Sequence, residues 1–262
     1  MIALWVLKNA CKLLILLGST SAFTSIITHH DEQRRMGVTS LRMNLDDIPV
    51  LKVDAEIPLV RMLVISDTHG LEEHLFEKGF PDVDILVHCG DWWSARGSKD
   101  RLDRVLAEQA HHIPRKIVVR GNHDPGKYKF SQSEALYVTE ATLLDFEGLK
   151  IEIRPYDTCG QLSEDVDILL SHEPPRGLLD MVYSGHHVGD TRLLESCESS
   201  PIKPKLWCFG HIHESRGIIS HRFADTTQST LIVNASSENS YKTKQVLSGP
   251  VLVHIGKVVT SG

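Results

Sequence analysis

The 262-residue chain has no C-x-x-C pair, no basic excess and no apolar run long enough to cross a bilayer. Its five cysteines, Cys11, Cys89, Cys159, Cys197 and Cys208, lack disulfide-framework spacing. That speaks against a disulfide-stapled scaffold and a structural zinc thiolate site. Cys89 and Cys208 lie in strand-like runs, where a small buried thiol is the expected role. A formal net charge of -6 argues against a protein that tracks a nucleic-acid backbone, since phosphate contacts draw on a basic face. The chain also lacks internal repeats and low-complexity tracts.

What is present suits a folded domain. With 41% hydrophobic and 24% charged residues, the chain can bury a sizeable core. Met1 to Phe23 carries Lys8 and Lys12, then Leu13-Leu14-Ile15-Leu16-Leu17, then small residues ending at Ala22. A basic start, a short apolar stretch and a T-x-A site read as a cleavable secretory signal over residues 1–22. The apolar stretch is far shorter than the ~20 residues of a spanning helix, so no stable span is expected in the mature chain. Thr24 to Asn44 carries Arg34, Arg35 and Arg42 with five Ser/Thr and only two acids, so residues 23–57 read as a transit-like segment or a disordered linker. The expected address is therefore entry into the secretory pathway, ending either in a plastid through a bipartite presequence or in secretion or the endomembranes. Residues 58–262 are expected to form one catalytic domain of ordinary size.

Within that domain, Leu59–Ile65, Asp84–Cys89 and Lys116–Arg120 are nearly continuous apolar runs, as in strands covered on both faces. Leu71–Lys78 and Lys99–Ala110 between them have helical composition, giving a βαβ series with parallel strands. Short strand candidates follow at 135–139, 141–146, 149–153, 166–170, 206–209, 217–220, 229–233 and 250–255. The sum predicts an α/β fold of two stacked sheets flanked by helices. Pro174 to Pro204, broken by Pro175 and Pro201, reads as one long irregular insertion and a place for substrate selection.

Five short blocks follow apolar runs in order: Asp67-Thr68-His69, Gly90-Asp91, Gly121-Asn122-His123-Asp124, Ser171-His172 and Gly210-His211-Ile212-His213. Alone, Asp67 would be a helix cap, Asn122 a turn residue, and His69 or His213 a surface histidine. Together they deliver carboxylate, amide and imidazole donors to one edge of a parallel sheet, a set suited to Mn, Fe or Zn.

The blocks resemble the calcineurin-like metallophosphoesterase superfamily, with D-x-H, G-D, G-N-H-[DE], a lone His and G-H-x-H in the same order from about Leu59 to Ile255. Ser171-His172-Glu173-Pro174-Pro175-Arg176-Gly177 and Phe209 to Glu214 look closest to the metallophosphoesterase domain-containing branch, which is similar to cyclic-nucleotide phosphodiesterases. The resemblance implies a four-layer αββα sandwich of two mixed sheets. It implies two divalent metal ions, manganese first with iron or zinc as alternatives. One would sit on Asp67, His69 and His213, the other on Asn122, His172 and His211, with Asp91 bridging. A metal-bridging hydroxide would then attack a phosphodiester or phosphomonoester of a small molecule, the diester favoured. His123 would be the catalytic residue facing the phosphate, as general acid or electrostatic partner. Arg96 is a candidate substrate contact, displaced by one residue from its place in relatives. Trp92-Trp93 departs from the acidic residues many relatives carry there, and packing is preferred over a base-binding shelf. His186-His187 reads as a solvated pair, and Ser236-Ser237 has no assigned role. The competing readings are a catalytically weak binding module on this fold, or a nuclease. A protein phosphatase ranks last for want of an Asp-Arg-Gly signature. Oligomeric state is not legible.

Overall fold

The computed structural model describes residues 50–53, 60–77, 79–94, 97–158, 160–224, 226–241 and 244–256. The expected signal segment and Arg96 lie outside them, as does the expected transit or linker segment apart from residues 50–53. The first sheet runs β1(Val50–Val53), β14(Val251–Ile255), β2(Val60–Ile65), β3(Ile85–His88), β4(Arg115–Val119), β5(Leu136–Val138). The second runs β10(Gly217–His221), β11(Thr230–Asn234), β9(Leu206–Phe209), β8(Ile168–Ser171), β7(Leu149–Arg154), β6(Thr142–Phe146). β12(Glu238–Tyr241) and β13(Lys244–Leu247) form a separate antiparallel hairpin. Strands β2 to β5 are mutually parallel, as the βαβ reading expects, and so are β7, β8, β9 and β11. β14, β10 and β6 run antiparallel to their neighbours β2, β11 and β7, which makes both sheets mixed.

Alternation along the strands builds the layers. Met62, Val64, Val87 and Ile117 point from the first sheet into one buried cluster with Ile151, Ile168, Cys208 and Val233 of the second. The opposite face of the first sheet, with Leu63, Ile65, Leu86 and Val118, packs on Phe76, Leu102, Val105 and Leu106. These last belong to the segment of α1(Glu72–Leu75) and to α2(Arg101–Gln109). The outer face of the second sheet, with Leu169, Trp207 and Ile232, packs on Leu193 and Cys197 of α3(Thr191–Ser199). Helices, sheet, sheet and helix give the expected four-layer sandwich.

Three local expectations need correction. The helix expected over 71–78 is a single turn, because Leu71 supplies no capping side chain and glycines at positive φ, Gly70 and Gly79, close both ends. The stretch from Pro174 to Pro204 is not irregular throughout. It contains α3, whose first amides at Arg192 and Leu193 are capped by the Asp190 carboxylate. β1 precedes the domain start expected at residue 58 and pairs in parallel with β14, with Leu51 fully buried. No helix among the described residues is long and apolar enough to cross a membrane.

Candidate metal centre

The C-terminal ends of β2, β3, β4, β8 and β9 emerge on one edge and carry the five blocks. The chain turns sharply there. Asp67, His69, Asp91 and His211 all take positive φ, between 46° and 69°, a region non-glycine residues seldom occupy. The turns are stitched to each other: Asp67 N–H donates to Gly90 O at 2.8 Å and His69 N–H to Asp91 O at 3.1 Å. A Cβ at Gly121 would overlap Asp91 Oδ1, and one at Gly210 would overlap Asp67 Oδ2. Glycine there admits the carboxylates.

Two donor groups result. In Asp67, His69 and His213, one donor atom from each lies within 4.8 Å of the others, and the same holds for Asp91, His172 and His211. Asp67 Oδ2 accepts from His211 N–H and from the Ser236 hydroxyl, both at 2.9 Å, leaving Oδ1 facing His213 Nε2 at 3.1 Å. Burial works to raise the Asp67 carboxyl, but the His213 hydrogen bond and the neighbouring imidazoles hold it far below the usual carboxylate range. Asp91 behaves oppositely. Burial, with the nearby Asp67 and Asp124 charges, pushes it up to about 9. Two buried carboxylates, one of which raises the other, suit a multivalent cation.

His172 makes the case from geometry. Its Nδ1 donates to Cys89 O at 2.9 Å, so Nδ1 carries the proton. Burial depresses the imidazole to about 4, which leaves Nε2 an unprotonated lone pair at neutral pH. That lone pair faces Asn122 Oδ1 at 2.8 Å, and His211 Nδ1 faces the same oxygen at 3.0 Å. Acceptors converge with no proton between His172 and Asn122, an arrangement that a cation satisfies. The residues present therefore fit divalent metal ions.

His123 stands apart from both groups. Its backbone N–H donates to Asp91 Oδ1 at 2.9 Å, while the imidazole is largely exposed and sits with Nε2 3.9 Å from Asp91 Oδ2. It lines a cleft of about 290 Å³ together with His69, Asp91, Asn122, His211 and His213. Tyr183 and Glu214 complete the wall, and sequence reasoning missed both.

Other supporting residues were also hidden. Asp124 accepts the amides of Asp91, Trp93 and Gly121 at 2.8–3.1 Å, tying the β3 and β4 turns together. Gly90 N–H donates to His88 Nδ1 at 3.2 Å, so His88 Nε2 donates to Thr68 Oγ1 at 2.8 Å. The Thr68 hydroxyl in turn reaches Glu72 Oε1 at 2.5 Å, joining the β2 and β3 turns through buried side chains. Tyr156 flanks His172 and His211 with ring centroids at 6.1 and 6.0 Å. Ser236 and Ser237 gain a role, since Ser236 fixes Asp67 and Ser237 N–H donates to Ser66 O at 2.7 Å. Their place just after a strand-like run was the one available signal. Trp92 is buried in the core and Trp93 packs against it, so neither is a shelf. His187 is not simply solvated: it pairs with buried Asp180 at 2.5 Å.

A family model describing calcineurin-like phosphoesterases matches residues 60–215, more than half of the chain. The UPF0046 protein K07C11.7 of Caenorhabditis elegans is 28% identical over 242 residues, covering 78% of each chain. Metallophosphoesterase domain-containing protein 1 of Homo sapiens is 28% identical over 226 residues, covering 67% of this chain and 65% of that one. The crystal structure of TT1561 of Thermus thermophilus aligns with a TM-score of 0.44 at 15% identity, covering 67% of this chain and 88% of that one.

Proposed function

The chain belongs to the calcineurin-like phosphoesterase family, and on that premise we propose that it is a two-metal hydrolase of small-molecule phosphoesters, diesters favoured over monoesters. Asp67, His69 and His213 would hold one cation, and Asn122, His172 and His211 the other, with Asp91 between them. Divalent cations, manganese first with iron or zinc as alternatives, supply Lewis acidity and an activated water nucleophile when bound. The observation that carries the reading is the facing of His172 Nε2 and Asn122 Oδ1 at 2.8 Å beside Asp91, with His172 Nδ1 already committed to Cys89 O.

The chain's own residues do the rest. Asp67 is locked through Oδ2 by Ser236 and His211 N–H, which leaves Oδ1 to the donor group with His213. Imidazoles and carboxylates rather than lysines or arginines line the described cleft, so phosphate charge would be met by the cations. Its volume lies at the small end of ligand pockets, and the net charge of -6 disfavours a nucleic-acid polymer. His123 reaches into the cleft from a backbone anchored on Asp91, placed to protonate the leaving oxygen.

The test is hydrolysis by purified protein, supplied with manganese, of model aryl monoesters and diesters and then of cyclic nucleotides. His123→Ala should retain the wild-type metal content while slowing turnover by roughly 10²–10⁴-fold, the range for a lost general acid. The defect should shrink on esters with good leaving groups. Loss of metal from that variant would make His123 a ligand and overturn its assignment. Binding without hydrolysis of any ester would favour the binding-module reading.

A further inference from the structure

The insertion between β8 and β9 brings one uncharged aromatic ring to the cleft. Tyr183 lines it together with His69, His123, His211 and His213 and is 54% exposed. The segment that carries it is built for a fixed position. Asp180, fully buried, accepts from Gly177 N–H and Gly189 N–H, both at 2.9 Å, and pairs with His187. Val182 N–H donates to His186 O and Gly185 N–H to Val182 O, closing a tight turn around Tyr183. A bridge between Met181 and His187 forms its stem.

That stem is fastened to the candidate metal centre. The Ser215 hydroxyl donates to Met181 O at 2.6 Å, two residues from His213. Asn234 Nδ2 reaches both Leu179 O at 3.2 Å and Ile212 O at 2.9 Å, joining the insertion to the turn between His211 and His213. A buried carboxylate and two cross-links are far more than an exposed loop tip needs. They hold the backbone that carries Tyr183 at a set place relative to the turn of His211 and His213.

We propose that Tyr183 is a specificity-determining residue that stacks on a planar ring of the substrate's organic group, a nucleobase or an aryl moiety, while the phosphate lies at the candidate metal centre. The inference rests on the phosphoesterase reading. Stacking a base on an aromatic side chain is worth ~1–3 kcal/mol, which is about 5-fold to 150-fold in affinity. The phenol hydroxyl is not needed for stacking, so the ring alone should suffice.

The test is calorimetric binding of two probes, adenosine 5′-monophosphate and inorganic phosphate, to the manganese-loaded full chain. Tyr183→Ala should weaken adenosine monophosphate by about 5-fold to 150-fold and leave phosphate unchanged, and Tyr183→Phe should match wild type for both. Asp180→Ala, which frees the loop and leaves the ring intact, should weaken only the nucleotide. Equal weakening of both probes by Tyr183→Ala, or of neither, overturns the proposal while leaving the phosphoesterase reading in place. A wild-type protein that binds neither probe overturns both.

Discussion

Single residues decide whether the turns that carry the donors can exist. Gly121 and Gly210 are required because carboxylate oxygens of Asp91 and Asp67 occupy the space a side chain would take. His88 works from below as a neutral imidazole. Burial holds it down at about 3, against an ordinary 6.5. The unfolded chain therefore takes up a proton that the folded chain refuses between those values. Stability owed to neutral His88 is complete above about 6.5 and drains away as the pH falls towards 3. Metal-free His88→Gln, which still offers an oxygen to Gly90 N–H, should lose less stability than wild type on moving from about pH 7 to about pH 5. The difference should approach one proton's slope, ~1.4 kcal/mol per pH unit. Urea unfolding at the two pH values measures it, and parallel losses would show that His88 does not titrate on unfolding.

At the scale of elements, the sheet edge is the informative feature. β1 covers one side of β14 and buries Leu51 completely. A chain beginning at residue 58 lacks that strand and leaves the edge of β14 open. It should be less stable than a chain beginning at residue 48 by about 2–5 kcal/mol, the cost of emptying a buried leucine site. Coincident urea midpoints would show that β1 contributes nothing. The sequence concealed this strand because Val50-Leu51-Lys52-Val53 is short and pairs only with the last strand of the domain, some 200 residues away. The continuous runs ending at Asp67, Asp91 and Asn122 were legible because parallel strands buried on both faces need apolar side chains throughout. α3 was masked by the prolines around it, and α1 promised eight residues where flanking glycines allow four. The roles of Asp124 and Ser236, though both sit beside motif or strand-like segments, and the whole of Asp180 were not legible, since their partners are set by the packing of loops.

For the whole molecule, the two sheets meet across one apolar cluster and send parallel strand ends from both to the same edge. Three strands of the first sheet bring Asp67, His69, Asp91 and Asn122, and two strands of the second bring His172, His211 and His213. Each donor group mixes residues from both sheets, so the proposed centre exists only when the sheets are docked. On the proposed reading, this edge holds two cations sharing Asp91. Elemental analysis of purified wild type and Asp91→Ala addresses it directly. Two divalent ions per active wild-type chain are expected, and Asp91→Ala should lose both, with activity, because only a shared carboxylate serves both positions. A fully active wild type holding one ion per chain would contradict it.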